Sequence, residues 1–469
     1  MMSVPDQQKK LNNDLKTRHV TMIAIGGVIG SGLFVGSGDI IKSAGPSAIL
    51  SYLIACLIVV LVMRMLGEMA AVNPDSGSFS TYAYQAIGPW AGYTIGWLYW
   101  FNWVIIIAIE ATITGTMIHD WFPLIPSWAG TLALPVLMTI TNMYSVKSYG
   151  EFEYWISFIK VITIIVFLCL GIAMIFGIVP GVKSPGISNL TGDGGFIPKG
   201  FFPVLLSVVF IMFSLSGSEV AAIAAGESEN PKKNVVKAIN SVVWRLLIFF
   251  VFSVAILVII IPWNDTQALK YPYASVFRMA NIPAAAQIVN IVVFSSAVSI
   301  INSGIYTSSR MLYSLAQKGD APSVLLRLTK KGVPVWAVLT CVFFSYVCTM
   351  FKFLSPNTLY VFLANSSGGV TILMYLFVAF SHLRMRKKAE RNNPESLKVK
   401  MWLFPYLTYF TIIILLFIFI AQAFIDSMRL QFILTSLITI IAVGSYLLFY
   451  QKKNRTFIGK EKEIDQHSL

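Results

Sequence analysis

Three ionisable side chains interrupt long apolar runs of the 469-residue chain, and they are the first candidates for chemistry. Glu110 lies in WVIIIAIEATITG, Lys160 in WISFIKVITII and Glu219 in SLSGSEVAA. An ionisable group inside an apolar segment costs several kcal/mol, so it commonly marks a binding site, a proton carrier or a buried ion pair.

Each of these side chains has a functional and a structural interpretation. Lys160 can carry a proton, or it can be a structural cation held against backbone carbonyls of the first span. Glu110 can bind a substrate amine, carry a proton or pair with a lysine, or it can be a hydrogen-bonded structural acid. Glu219 can take part in proton coupling, or it can cap a half-helix whose dipole stabilises a carboxylate.

The composition predicts that the chain spans a membrane. Apolar residues make up 56% of it and charged residues 12%, and the mean hydropathy is +0.73. Apolar runs of roughly 20 residues are long enough to cross a bilayer as helices. We therefore predict an all-α integral membrane protein with twelve transmembrane helices. The predicted spans are 20–38, 44–66, 90–118, 125–144, 154–178, 201–225, 239–262, 283–313, 334–353, 357–382, 402–424 and 430–450.

The charge distribution predicts the topology. Most of the 35 lysines and arginines fall on the side of the N-terminus, which is the bias of cytoplasmic loops. The net charge of +14 therefore indicates a cytoplasmic-membrane protein with both termini inside, rather than binding to nucleic acid. We expect cytoplasmic tails at 1–18 and 453–469 and one transmembrane domain at 19–452. Because the spans show no nucleophile–base pair and no metal-ligand cluster, we expect neither an enzyme nor a cofactor.

Two spans contain residues that interrupt helices. The segment IGGVIGSGLFVGSG, residues 25–38, holds six glycines in the first span, and glycine is a poor helix former. FSLSGS, residues 213–218, lies in the sixth span, so both spans carry a Ser-Gly dipeptide in mid-membrane. Interrupted helices at matching places in two halves indicate the substrate site of a transporter. We predict that spans 1 and 6 are broken and that spans 1–5 and 6–10 form inverted five-helix repeats.

The broken helices predict a site for a zwitterion. A half-helix starting near Gly32 offers N–H groups and a positive dipole end to a carboxylate, and Gly30 permits close approach to the backbone. A half-helix ending near Phe213 and Ser214 offers carbonyls to an ammonium. The alternative is that these glycines serve close helix packing, since their spacing also fits the GxxxG pattern.

Several segments resemble a known family. Residues 44–79, AGPSAILSYLIACLIVVLVMRMLGEMAAVNPDSGSF, resemble the signature of bacterial amino acid permeases in the amino acid–polyamine–organocation superfamily. GGVIGSGLFVGSG, FSLSGSEVAAIAAGESENP and NSGIYTSSRMLYSLAQKGDAP are similar to the first, sixth and eighth spans of that family. GPWAGYTIGWLYWFNWVIIIAIEA and YSVKSYGEFEYWISFIKVITII are similar to the branch that transports 4-aminobutyrate (GABA).

The resemblance implies a leucine-transporter-like fold that works by alternating access. It also implies a small zwitterionic amino acid as the substrate and the bilayer as the surroundings. Glu110 becomes an additional partner for the amine, because the amine of an ω-amino acid lies farther from the carboxylate than the α position. The implied substrate-binding residues are Gly30, Ser31, Gly32, Phe213, Ser214, Ser216 and Glu110.

The same resemblance implies proton symport. Lys160 matches a lysine in span 5 that occupies the place of a sodium site in sodium-coupled relatives, and Glu219 is the second candidate for proton coupling. We therefore expect an importer of GABA and related small amino acids that uses the proton as its coupling ion. The alternatives are a permease for proline or for alanine, serine and glycine, and an amino acid sensor that binds without transporting.

Overall fold

The structure is a computed structural model that describes residues 15–30, 32–75, 77–354, 369–392, 394–397 and 399–466. Among the predicted site residues, Ser31 lies outside these ranges, and Phe213 is described by its backbone alone. The described residues form helices and connecting loops without a β-sheet, which confirms the all-α prediction.

The first span is broken, as the glycines predict. Helix α1, Thr17–Gly26, ends where the glycine-rich segment begins. The chain resumes as a short π-helix, Gly32–Gly36, which continues into α2, Ser37–Ala44. A 3-10 turn at Gly45–Ser47 then leads into α3, Ala48–Val72, a long and mostly buried helix.

Long helices follow the broken one and form a framework beside it. Two of them begin at recognisable signals: Pro89 opens α5, and the Ser145 hydroxyl accepts from the N–H of Ser148 at the start of α7. The helices in this part of the chain are α4 (Ser78–Ala86), α5 (Pro89–Trp121), α6 (Ser127–Tyr144) and α7 (Val146–Ile175).

The sixth predicted span is broken as well. After the one-turn helix α8, Ser188–Thr191, helix α9 runs from Phe201 to Ser214 and α10 from Val220 to Gly226. Gly217 lies between α9 and α10 with a φ of 106°. A residue with a side chain rarely adopts that backbone conformation, so glycine allows the chain to turn between the two half-helices.

The remaining helices complete the bundle. The helices are α11 (Pro231–Leu246), a π-helix (Leu247–Phe252), α12 (Ser253–Ile260), α13 (Pro272–Met279), α14 (Ala285–Gln317), α15 (Val335–Leu354), α16 (Val370–Asn392), α17 (Tyr406–Ala421) and α18 (Asp426–Gln466). The further 3-10 turns are Ala268–Lys270, Ser323–Leu326, Pro394–Ser396 and Gln422–Phe424.

Seven stretches of the described chain are long and apolar enough to cross a membrane. Two shorter apolar helices, Phe201–Met212 and Val335–Phe351, add to them. Part of the predicted tenth span, residues 355–368, lies outside the described residues. The count of twelve spans therefore stays a prediction.

The packing places the broken helices against the long ones. Helices α5 and α14 pack along one another, and α7 packs on both α1 and α14. Helix α1 also contacts α10, whereas α9 packs on α3. We call the end of the molecule at which α1 begins the α1 side.

Gly217 provides a test of the break. A Cβ at this residue would collide with the carbonyl of Gly27, a backbone atom that cannot rotate away. We expect Gly217→Ala to lower stability by more than the about 1 to 2 kcal/mol that left-handed backbone costs an ordinary residue. The measurement is the midpoint of thermal unfolding in detergent.

Gly181→Ala is the matched control. Gly181 also has a positive φ, 75°, but a Cβ there would meet no atom within 4 Å. We expect this variant to lose only the backbone contribution. Equal decreases in the two variants would contradict the role of the contact between Gly217 and Gly27.

Candidate functional site

The two breaks lie against each other. A Cβ at Gly27 would come within 3.3 Å of the carbonyl oxygen of Gly217, and one at Gly217 would collide with the carbonyl of Gly27. The two unwound segments therefore touch through their backbones. Glycine is required at Gly217, where a side chain has no room, whereas a Cβ at Gly27 would make a tight contact.

A cavity of about 610 Å³ borders these segments. The cavity is lined by five of the predicted site residues: Gly30, Gly32, Glu110, Ser214 and Ser216. Lys160 and Glu219 do not line it. The cavity extends towards Asp39, Ser43 and Ser427, away from the α1 side.

The beginning of the π-helix borders the cavity. Gly30 and Gly32 face the cavity where this helix starts, and the first N–H groups of a helix lack partners within it. These N–H groups and the helix dipole make the start of this helix suitable for an anion. Gly26 is different, because a Cβ there would collide with Ser157 of α7. The packing interpretation of the glycines therefore fits Gly26.

The end of α9 borders the cavity next to the start of the π-helix, since a Cβ on Gly32 would reach Ser214. Helix α9 stops at Ser214, so the carbonyls of its last turn have no further helical N–H to accept from. Among the described residues, Oγ of Ser214 has no hydrogen-bond partner. The neighbouring Ser216 accepts a 3.4 Å hydrogen bond from Oγ1 of Thr371 on α16. Carbonyls and hydroxyls at this end suit an ammonium group.

Helix α5 supplies an acid and an apolar wall. Trp103, Ile106 and Glu110 recur at the spacing of one helix face, and all three line the cavity. Glu110 is 7% exposed, and Ile300 of α14 lines the cavity too. In such an apolar enclosure the attraction between a carboxylate and a bound ammonium is stronger than in water.

Lys160 is tied to the break in the first span. Its Nζ is fully buried and donates to the carbonyl oxygens of Gly26, at 2.8 Å, and Ile29, at 2.9 Å. These oxygens lie where the hydrogen bonding of α1 ends. The structure therefore places Lys160 against the first span's carbonyls, and the carrier and structural roles are compatible with the same contacts.

Glu219 contacts the second break as Lys160 contacts the first, but it carries the opposite charge and accepts hydrogen bonds. Its carboxylate accepts from the N–H of Gly217, at 3.1 and 3.2 Å, and from the hydroxyl of Tyr99, at 3.1 Å. It is buried and directly precedes α10. Glu219 thus stabilises the turn between the half-helices from a position outside the cavity.

The α1 side of the site is closed by a buried ion pair. Nε of Arg310, on α14, lies 2.9 Å from Oε1 of Glu227 at the end of α10. The Arg310 guanidinium also lies 4.1 Å from the ring centre of Tyr306, which stacks at 4.1 Å on Tyr149. All four side chains are buried, so this layer separates the breaks from the α1 side.

Sequence reasoning did not identify this layer. Glu227 and Arg310 are 83 positions apart. The signal that could have found Arg310 is its place at the end of an apolar run, where an arginine needs a nearby acid. Its partner could not be read from local spacing.

Comparison with known proteins identifies the family. The amino acid permease family model matches residues 19–458. This chain belongs to the amino acid permease family. The permease is 56% identical over 446 residues to the gamma-aminobutyric acid permease of Bacillus subtilis, and the match covers 95% of each chain. It is 45% identical to the gamma-aminobutyric acid permease of Escherichia coli, over 94% of each chain.

Solved structures share the fold of this permease. A crystal structure of the manganese transporter of Eremococcus coleocola superposes with a TM-score of 0.58, covering 97% of this chain and all of that one. The two sequences are 14% identical, so the likeness concerns the fold alone. The family match, the GABA permease relatives and the long apolar helices together make this protein a helical, multi-pass membrane transporter and not an enzyme.

Gly32 provides a test of the site. A Cβ at Gly32 would collide with the Ser214 hydroxyl across the cavity. We expect Gly32→Ala to reduce uptake of a radiolabelled amino acid by proteoliposomes at least tenfold, or about 1.4 kcal/mol in the barrier to transport.

Gly36→Ala is the matched variant, because it adds the same methyl group four residues later where no atom lies within 4 Å. We expect a much smaller loss of uptake in this variant. Similar uptake by the two variants would show that the space beside Gly32 is not used by the substrate.

Proposed function

We propose that this permease imports GABA and related small amino acids across the cytoplasmic membrane, coupled to the entry of protons. The observation that supports the mechanism is the contact between Lys160 and the first break. The observation that supports the substrate is the likeness to proteins named as GABA permeases in three bacteria, at 45 to 56% identity.

The residues that line the cavity offer groups for both charges of an amino acid. The carboxylate would bind at the N–H groups beside Gly30 and Gly32, with Ser31 in the same segment. The amine would bind the carbonyl end of α9, through the backbone of Phe213 and Ser214, or the Glu110 carboxylate. The apolar wall of α5 would contact the methylene groups between the two charges.

Lys160 provides a route to coupling. A protonated lysine makes charge-assisted hydrogen bonds, which are roughly twice as strong as neutral ones. Its bonds to Gly26 and Ile29 hold the carbonyls at the end of α1. Loss of the proton weakens that hold, so the protonation of Lys160 and the geometry of the break are linked. Glu219 holds the second break and is the further candidate for exchange of a proton.

The distribution of charge and the position of the cavity support a proposed orientation. With both termini in the cytoplasm, the basic loops lie inside, as expected for a bacterial membrane protein. The α1 side is then the cytoplasmic side, closed by Arg310 and Glu227, and the cavity opens outwards. This arrangement is the outward-open state of an alternating-access cycle.

Lys160→Ala tests the coupling. We expect this variant to lose accumulation of GABA driven by an inward proton gradient while it retains exchange of labelled for unlabelled GABA. Lys160→Arg is the matched control, because arginine keeps the charge and the donors but does not lose its proton. It is also expected to lose accumulation. Accumulation at the wild-type level in either variant would remove Lys160 from the coupling.

Parallel uptake tests the substrate. Labelled GABA, proline or alanine is added outside the proteoliposomes, and its uptake is measured with and without an inward proton gradient. We expect gradient-driven accumulation of GABA, with weak competition by proline and alanine. Preferred accumulation of proline or alanine would assign the permease to small α-amino acids, and binding without accumulation would indicate a sensor.

A further inference from the structure

Glu153 is a buried carboxylate beside the site that the transport cycle described above leaves without a role. It lies on α7, is fully buried, and precedes Lys160 by seven residues, which places the two on one face of the helix. It does not line the cavity. A buried carboxylate is stable only with hydrogen bonds or a counter-charge, so its partners indicate its role.

Three donors surround the carboxylate of Glu153. Oε1 accepts from the hydroxyls of Ser299, on α14, and Ser157, the latter at 3.4 Å. Oε2 accepts from Nδ2 of Asn302 at 3.3 Å. Donors on both oxygens favour the ionised form of a carboxylate. These hydrogen bonds offset part of the cost of burying a charged carboxylate.

The charge that Glu153 faces is Lys160. The two side chains meet at one residue: Nζ of Lys160 donates to the carbonyl of Gly26, and a Cβ on Gly26 would lie 2.8 Å from Oε1 of Glu153. The ammonium and the carboxylate therefore both lie close to Gly26. Both groups are fully buried, so the attraction between their charges is screened less than it would be in water.

The other ionisable neighbours are few. Glu110, on α5, is the second carboxylate that acts on Lys160, and Tyr149 is the titratable neighbour of Glu153 on its own helix. Helix α14 faces Glu153 with the uncharged Ser299 and Asn302, and α1 faces Lys160 with carbonyls. Arg310 lies further along α14, paired with Glu227.

We propose that Glu153 is a positioning residue whose carboxylate is the counter-charge of Lys160 and sets the pH range over which Lys160 exchanges its proton. The inference rests on the proposed proton coupling through Lys160. Glu153 differs from Glu110 in that it lies outside the cavity. The counter-charge is therefore present in every state of substrate loading.

A purely structural role is the competing interpretation. Oδ1 of Asn302 accepts from Nδ2 of Asn142, at 2.8 Å, and from Thr141, at 3.0 Å, so Glu153 also ends a hydrogen-bonded link between α6, α7 and α14. A glutamine in its place keeps the size and one acceptor oxygen. The two roles separate because only the counter-charge changes the pH dependence of transport.

The test compares three variants in proteoliposomes. Glu153→Gln removes the charge and keeps the shape, Glu153→Asp keeps the charge, and Ser299→Ala removes one hydrogen bond and no charge. The readouts are gradient-driven accumulation of GABA and, without any gradient, exchange of labelled for unlabelled GABA, each measured from pH 5 to 9. The midpoint of each pH profile is compared with that of the wild type.

Without the carboxylate, the protonated form of Lys160 has a higher free energy, so the lysine is expected to lose its proton at a lower pH. We expect Glu153→Gln to move the midpoint towards acid by about one pH unit, which is the size of one charge interaction at several ångströms. Glu153→Asp is expected to restore most of that shift. Ser299→Ala is expected to lower the amount of active protein or the rate and to leave the midpoint within a few tenths of a unit.

The two readouts distinguish failure of this inference from failure of proton coupling. Absence of gradient-driven accumulation in the wild type would refute the coupling, whereas the exchange profile still reports on Lys160. An exchange midpoint that Glu153→Gln leaves unchanged, or an equal shift in Ser299→Ala, would overturn the assignment of Glu153. So would wild-type exchange that does not vary with pH.

Discussion

A helix that stops inside a bilayer leaves backbone N–H and C=O groups that the lipid cannot satisfy. This permease contains two such interruptions, and buried polar side chains form hydrogen bonds with the backbone groups that the interruptions expose. Lys160 donates hydrogen bonds to the carbonyls of Gly26 and Ile29, and Glu219 accepts one from the N–H of Gly217. Because the side chains that stabilise the breaks are ionisable, the stability of the unwound backbone depends on charge. This dependence on charge is the physical basis of the coupling proposed through Lys160.

The same constraint explains the position of the cavity. Backbone groups that no side chain takes remain available to a ligand, and they face the space between α1–α2 and α9–α10. The long helices α5 and α14 contribute to the wall of this space, whereas α7 holds Lys160 against the first break from outside the cavity. The ion pair of Arg310 with Glu227 then closes one side of it. A buried ion pair adds little net stability compared with apolar packing, but separating it is costly, so it favours a well-defined closed state.

The sequence allowed the breaks to be predicted because their cause is local. Glycine and serine within apolar runs disfavour a helix wherever they occur, and α1 and α9 end near the predicted residues. Lys160 stood out for an equally local reason. Glu153 did not, because the predicted fifth span began at residue 154, whereas α7 begins at Val146 and buries the preceding turns.

Contacts between distant segments could not be predicted in this manner. The partner of Glu227 lies on α14, and hydrogen bonds in both directions join Leu15 to the chain after α10. The N–H of Leu15 donates to the carbonyl of Glu227, and its carbonyl accepts from the N–H of Glu229. These bonds tie the start of α1 to the end of α10. The two half-helices on the α1 side are therefore joined at their far ends as well as at the breaks, where Gly27 and Gly217 touch. A displacement of α1 would have to carry α10 with it or break these hydrogen bonds.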